Sequence, residues 1–308
     1  EINVEASYAH WRIISIVLCL FCFVGILLEY YFTRERITEE NINLNIKEEK
    51  IPLKKQVQGC IRNKYWWIII LYFLLFQMEQ LVKNSSMSFY ARWMFDSVIN
   101  SANPEQTSGT LMSTLGLIGG IPTAIGMFVA WPIANKLGKK RAVVLGLCFS
   151  VVGGLVCFID VHSFILVCVG MVLKGIGSIP AMYVTMALLS DVLDHLEAKN
   201  GFRSDGFTMS VYGSIMAGYT NTGVACDSST LTIINNVADY TGQVVYRQMG
   251  GVENVLAFAF LGMEVITFAI IVFMMSRLDV EKHIEEDHRI IKENQKAAVL
   301  AAGGTWEE

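Results

Sequence analysis

The sequence predicts an all-α membrane protein of seven transmembrane helices, with one helix standing apart and six grouped behind a polar linker. Three observations predict it. Of 308 residues, 53% are hydrophobic and only 17% are charged, against roughly a quarter charged in an ordinary soluble domain. The apolar residues are gathered into runs long enough to cross a hydrocarbon core, which takes about 20 residues of helix. Lys and Arg fall almost wholly in alternate connections between those runs. A net charge of −4 gives no support to a nucleic-acid partner, and the partner implied first is the lipid bilayer.

In chain order the spans lie near 11–31, 65–88, 111–134, 142–160, 163–189, 206–234 and 253–276. The sixth is the least apolar, interrupted by Ser210, Thr220, Asn221, Asp227, Ser228 and Ser229. It is either lined by protein and water or shorter than its limits suggest. Of the 24 Lys and Arg, 19 fall on one side: eight between Arg34 and Lys64, then Lys136, Lys139, Lys140, Arg141, Lys199 and Arg203, then five from Arg277 onward. The other side has Arg12, Arg92 and Arg247, and Lys83 and Lys174 lie within spans. Cytoplasmic loops carry the positive excess. The expected topology is therefore a multi-pass protein of the cell membrane with its N-terminus outside and its C-terminus in the cytoplasm. The expected divisions are a first membrane helix over 1–34, a cytoplasmic linker over 35–64, a six-helix unit over 65–276 and a cytoplasmic tail over 277–308. In the tail, Val280, Ile284 and Ile291 have helical spacing, and His283 and His288 are expected to be solvated. The opening EINVEASYAH has no initiator Met and no basic stretch before its apolar run, so it reads as part of a longer protein rather than as a signal peptide. The seven Cys match no metal-ligand spacing and read as small buried apolar residues.

The stretch "SDVLDHLEAKNGFRSDG" at 190–206, on the cytoplasmic side, packs four acids and two bases into seventeen positions. Its pattern resembles the corresponding loop of the glycoside-pentoside-hexuronide:cation symporters, the melibiose-carrier branch of the major facilitator superfamily. Asp191, Asp194, Glu197, Gly201, Arg203, Asp205 and Gly206 match that pattern without a gap. "FTRERI" at 32–37 is similar to the family's exit from helix six, and "RNKYWW" at 62–67 to its entry to helix seven. "NKLGKKR" at 135–141 resembles the superfamily's basic loop between helices eight and nine. The resemblance implies helices six to twelve of a twelve-helix transporter, with the C-terminal six-helix half preceded by one further span. Where melibiose carriers have a Lys midway along helix eleven, this chain has Ala217.

Several residues are candidates for the site that such a transporter needs. Lys174 lies about eleven residues into its span, roughly 16 Å deep at 1.5 Å per residue, too deep to snorkel to either interface. It reads either as a group that binds an anionic substrate or pairs with an acid of the missing half, or as a structural partner for an acid or for carbonyls near Gly175, Gly177 and Pro180. Gln77, Gln80 and Asn84 form one polar stripe at i, i+3 and i+7. Amides can both donate to and accept from sugar hydroxyls, though they also pack membrane helices together. Glu79 and Lys83 stand four apart and can neutralise each other. Tyr183 and Tyr212 are candidates for the cavity wall, whereas Trp66 and Trp67 read as anchors at the membrane edge. Gly116, Gly119, Gly120, Pro122, Gly126, Gly213, Gly218 and Gly223 mark close packing or bending of helices.

Asp191 and Asp194 share a face at the end of a helix, where the macrodipole disfavours carboxylates. Arg203 and Lys199, with Lys139, Lys140 and Arg141 of the neighbouring loop, offer compensating charge. Asp191, Asp194, Glu197, Arg203 and Asp205 are thus read with those bases as a cytoplasmic gate, with Gly201 and Gly206 giving the turn its freedom. The resulting expectation is a secondary active transporter that moves a sugar or glycoside with Na⁺ or H⁺, with no catalytic residues, no bound cofactor and no metal site. Two other readings stand beside it: a non-transporting sensor on the same scaffold, and a membrane enzyme using Asp191, Asp194 and His195 as metal ligands.

Overall fold

The computed structural model describes residues 4–33, 51–95, 104–218 and 250–301. All regular structure among them is helical. In order, the helices are α1 (Val4–Phe32), α2 (Leu53–Ile61), α3 (Lys64–Trp93), α4 (Pro104–Leu137), α5 (Lys139–Cys157), α6 (Phe164–Asn200), α7 over 205–218, α8 (Gly250–Ala257), α9 (Met263–Ser276) and α10 (Ile284–Ala301). A π-helical turn, Phe258–Gly262, joins α8 to α9, and a 3₁₀ turn, Val280–Lys282, precedes α10. Contacts divide the chain into residues 49–294 and a second unit of 1–48 with 295–308.

In the second unit, α1 is apolar all round, and its side chains from Tyr8 to Phe32 are exposed, as suits a helix whose solvent is lipid. Six helical segments among the described residues are long and apolar enough to cross a membrane, and α1 is one of them. The expected span over 206–234 is helical as far as 218. Its Thr220, Asn221, Gly223, Cys226, Asp227, Ser228 and Ser229, like Arg247 and the linker cations Arg34, Arg36, Lys47 and Lys50, lie outside the described residues.

Within residues 49–294, the tightest packing joins α5 and α6. Gly146 and Gly153 on α5 and Gly170 and Gly177 on α6 are each seven residues apart, and the two pairs meet antiparallel. A Cβ on Gly177 would lie 2.5 Å from the carbonyl oxygen of Gly146. One on Gly153 would lie 2.9 Å from the backbone nitrogen of Lys174. With little hydrophobic drive between helices in lipid, such small-residue crossings supply close van der Waals contact. The hydroxyl of Ser150 on α5 also donates to the Lys174 carbonyl across the same seam, at 2.9 Å.

Two apolar clusters form the core. One holds the parallel-stacked rings of Tyr72, Phe76 and Phe268 with Leu188, Leu189 and Leu196. The other holds Tyr90, Phe95, Leu115, Phe260 and Leu261. Burying phenol groups requires partners. The Tyr72 hydroxyl donates to Ala181 O at 2.7 Å and the Tyr90 hydroxyl to Val161 O at 2.6 Å.

The structure corrects several expectations. Trp66 is buried rather than an interfacial anchor, because its ring stacks on Phe207 and its indole N–H donates to Thr208 at 3.0 Å. Trp67 is exposed. Among the cysteines, Cys60 and Cys157 are buried, but Cys19, Cys22 and Cys148 are exposed on the outer faces of spans, the surface that lipid covers. The expected span ending at 189 continues as helix to Asn200, and it stops at Gly201, whose φ of 75° is the left-handed C-terminal cap. Asp191 and Asp194 thus lie upstream of the last turn, where the dipole acts, and Glu197 is the acid nearest the helix end. Gly206 sits inside α7 with open space around it, so only Gly201 gives the turn its conformational freedom. The linker is not all loop, since α2 lies within it.

Candidate functional site

Three groups of polar residues stand out on this scaffold. The first lies in the membrane, between the two apolar clusters. Glu79 on α3, Lys174 on α6 and Glu264 on α9 are buried, and Lys83 joins them with a fifth of its side chain exposed. Lys174 is in direct ionic contact with Glu264. Lys83 Nζ lies 3.7 Å from Glu264 and 3.9 Å from Glu79, so it is shared between two carboxylates rather than paired with Glu79 alone. Two basic and two acidic side chains gather here, and pairing of opposite charges is what keeps ionised side chains tolerable at this depth. The acid facing Lys174 therefore comes from this same chain. The π-helical turn ends one residue before α9 begins, and Phe260 within it puts its ring 5.9 Å from Lys174 Nζ. Such turns shift the face that a helix presents and recur at functional sites.

The second group lies along a groove of about 690 Å³ between α3 and α7, lined by Gln77, Leu81, Phe207, Ser210, Ser214 and Gly218 among others. Gln77 reaches the Met216 sulfur of α7. Gln80 is half-buried and Asn84 exposed further along the same stripe. Tyr212 packs edge-on against Phe73, 4.8 Å between centroids. Tyr183 is elsewhere, donating from its hydroxyl to Thr123 O at 3.1 Å between α6 and α4. The six cavity candidates are therefore not one constellation. Gln77 lines the groove, Lys174 belongs to the ionic cluster, and Tyr183 bridges two other helices.

The third group is the charged end of α6. Lys139 Nζ lies 2.7 Å from both oxygens of Asp191. The backbone N–H of Lys140 donates to Glu281 at 2.7 Å, and its ammonium reaches Ser276 O at 2.8 Å and Asp279 at 3.3 Å. Gly138, with φ 86°, shapes the turn that presents both lysines. Arg141 is exposed and makes no ion pair with a described residue. Arg203 spans the turn after α6, donating to Asp205 at 2.6 Å, Asp194 at 2.8 Å and Glu197 at 3.4 Å. Burial opposes the charge on Arg203, but those carboxylates outweigh it and hold its pKa above the ordinary guanidinium value. The tail closes onto this end. His195 Nδ1 lies 2.8 Å from Asp287 and His288 Nε2 lies 3.3 Å from Asp194, while the His283 ring is 5.8 Å from that of His195. His283 and His288 are thus not merely solvated. Asp191, Asp194 and His195 turn to three different partners, and no group of three metal-ligating side chains with metal-holding geometry occurs among the described residues.

Residues 3–282 match the model of the family described as MFS/sugar transport protein. The chain belongs to that family. Its fold is the helical membrane fold of the major facilitator superfamily, as the motif at 190–206 implied. Among its relatives are the uncharacterized symporter YjmB of Bacillus subtilis (strain 168), 24% identical over 197 residues and 64% of this chain. Another is the isoprimeverose transporter of Lactiplantibacillus pentosus, 20% identical over 212 residues and 67% of this chain. Each match covers 40% of the relative's own length.

Glu264 escaped the sequence reading. An acid near the middle of an apolar run is itself the signal, and Lys174 in another span was its complement.

Proposed function

We propose that the chain is the C-terminal portion of a secondary active transporter that moves a sugar or glycoside across the cell membrane with Na⁺ or H⁺ by alternating access. The observation that carries this reading is the family match over nearly the whole chain, together with relatives named as a symporter and as an isoprimeverose transporter. In this reading α1 is the last helix of an N-terminal half that completes the cavity, residues 35–64 link the halves in the cytoplasm, and the C-terminus is cytoplasmic. The α3–α7 groove contributes one wall of the sugar path. Gln77 offers amide donors and acceptors there, with Ser210 and Ser214 beside it. In purified full-length protein, a bound saccharide should raise the unfolding temperature, because about 100-fold excess over Kd adds about 2.7 kcal/mol. Gln77→Ala should weaken that shift, and an unchanged shift would remove Gln77 from the sugar path.

The charged end of α6 acts as the inner gate. Arg203 ties Asp194, Glu197 and Asp205 together when the gate is shut, and Lys139 holds Asp191. Releasing these pairs to water biases a two-state equilibrium by their differential stability. Cys60 of α2 reports on it. The thiol is buried, with its Sγ 3.9 Å from the Thr208 hydroxyl at the start of α7. Burial pushes its pKa up, partly offset by Thr208, so it reacts slowly when covered. With other cysteines replaced, Arg203→Ala or Asp194→Asn should speed maleimide labelling of Cys60 several-fold and alter turnover more than sugar affinity. Unchanged labelling and turnover would reject the gate.

A further inference from the structure

Beside the Arg203 network, but outside it, lies a cleft of about 520 Å³ between α2 and the end of α6. Lys55 and Gly59 of α2, its C-terminal cap Arg62, Lys199 and Asn200 of α6, and Phe202 line it. Positions 55, 59 and 62 are spaced i, i+4 and i+7 and so share one helix face. Three cations converge here, and no acid is among the residues lining the cleft. None of the three makes an ion pair with a described residue, whereas Lys139, Lys140 and Arg203 at the same end of the molecule are all tied to carboxylates. Lys55 Nζ is held 5.8 Å from the Phe202 ring centroid, a cation–π contact that keeps the ammonium at the cleft. Like charges brought together without a counter-charge repel.

A second observation points the same way. The Asn200 side-chain nitrogen is shut off from solvent and has no hydrogen-bond partner. Leaving a buried donor unsatisfied costs free energy, so such a group asks for an explanation. It packs against Gly59, where a Cβ would come within 2.9 Å of it. Glycine at 59 therefore leaves room for that amide at the wall of the cleft. Ammonium, guanidinium and amide groups are all donors, and the ligand they match is an oxyanion with several acceptor oxygens and more than one negative charge to share.

We propose that this cleft binds a phosphate group, supplied by an anionic phospholipid headgroup or by a soluble phosphate. Bound there, it joins the linker helix α2 to the turn after α6. Its position speaks for the lipid: Asn63, capping α3 by accepting from Tyr65 N–H at 2.8 Å, lies next to Arg62, and the apolar run of α3 starts within one turn of it. Basic pockets at this level of a membrane helix meet headgroups.

The test uses the purified full-length protein. Native mass spectrometry after equilibration with phosphatidylglycerol or phosphatidylcholine should show preferential retention of phosphatidylglycerol. Lys55→Gln and Lys199→Gln should each reduce that preference about fivefold, and the double variant about 25-fold. Lys54→Gln, an exposed neighbour on α2 outside the cleft, should leave it unchanged. Titration with inorganic phosphate separates the sources. Saturable phosphate binding lost in the same two variants, without a lipid preference, supports a soluble ligand. Lipid retention and phosphate binding unchanged in the double variant would overturn the proposal, as would an equal loss in Lys54→Gln, which would mean a diffuse basic surface.

Discussion

Glu264→Gln is expected to remove most of the folded full-length protein, destabilising it by about 3–5 kcal/mol, the cost of breaking a buried ion pair by removing one partner. Lys174, 2% exposed, would then face no carboxylate in direct contact, and Lys83 would keep only Glu79 at 3.9 Å. The loss belongs to the stranded charge rather than to the missing bond. The double variant Lys174→Met, Glu264→Leu should therefore regain much of the folded fraction, because apolar residues of similar volume in place of a buried pair are often neutral or stabilising. Folded yield and thermal unfolding of the two variants measure this. If Glu264→Gln folds as well as the wild type, the cluster is not held by charge balance.

Gly177→Val should be at least as damaging. Its Cβ would meet backbone, 2.5 Å from both the Gly146 carbonyl oxygen and the Ser150 nitrogen, as well as the Ser150 hydroxyl. Backbone atoms of two packed helices cannot step aside as the end of a flexible side chain can, so α5 and α6 must separate. Overpacking of a well-packed core ordinarily costs about 1–3 kcal/mol, and a clash with main chain lies at or above the top of that range. Separation also breaks the Ser150 bond to the Lys174 carbonyl and so disturbs the ionic cluster. Gly213→Ala, with nothing within 4 Å of the added Cβ, serves as the control and should leave folding intact. Size-exclusion profiles and thermal unfolding distinguish the two.

These two residues also show how far the sequence could be read. Hydropathy was enough for six of the seven expected spans, because the bilayer constrains every helix in the same way, while the expected span over 206–234 lies partly outside the described residues. Lys174 was legible as exceptional from its depth alone. Its partner was not, because Glu264 is 90 residues away in sequence, and only the packing of α9 against α3 and α5 brings the four charges together. The glycines that matter most, Gly146, Gly153 and Gly170, lie on two different helices. Their seven-residue spacing acquires meaning only when the helices are antiparallel, while Gly116 and Gly213, which drew attention by crowding, have room to spare. At the charged end of α6 the chemistry could be anticipated: acids and bases were dense and the motif was specific. The pairing could not. Lys139 takes Asp191, Arg203 takes Asp194, and Asp287 of the tail reaches His195, an arrangement that depends on α6 running on to Gly201. Gln77, Gln80 and Asn84 share a stripe as their spacing requires, yet only Gln77 meets α7.

The central proposal is that this chain is part of a carrier that moves a sugar by alternating access. Counterflow in vesicles containing the full-length protein tests it most directly, because exchange of labelled for unlabelled glycoside needs the carrier to present its site to both sides and needs no net cation gradient. The account predicts a transient accumulation of labelled glycoside in preloaded vesicles, diminished in Arg203→Ala. Absence of saccharide exchange under every Na⁺ and H⁺ condition would contradict it.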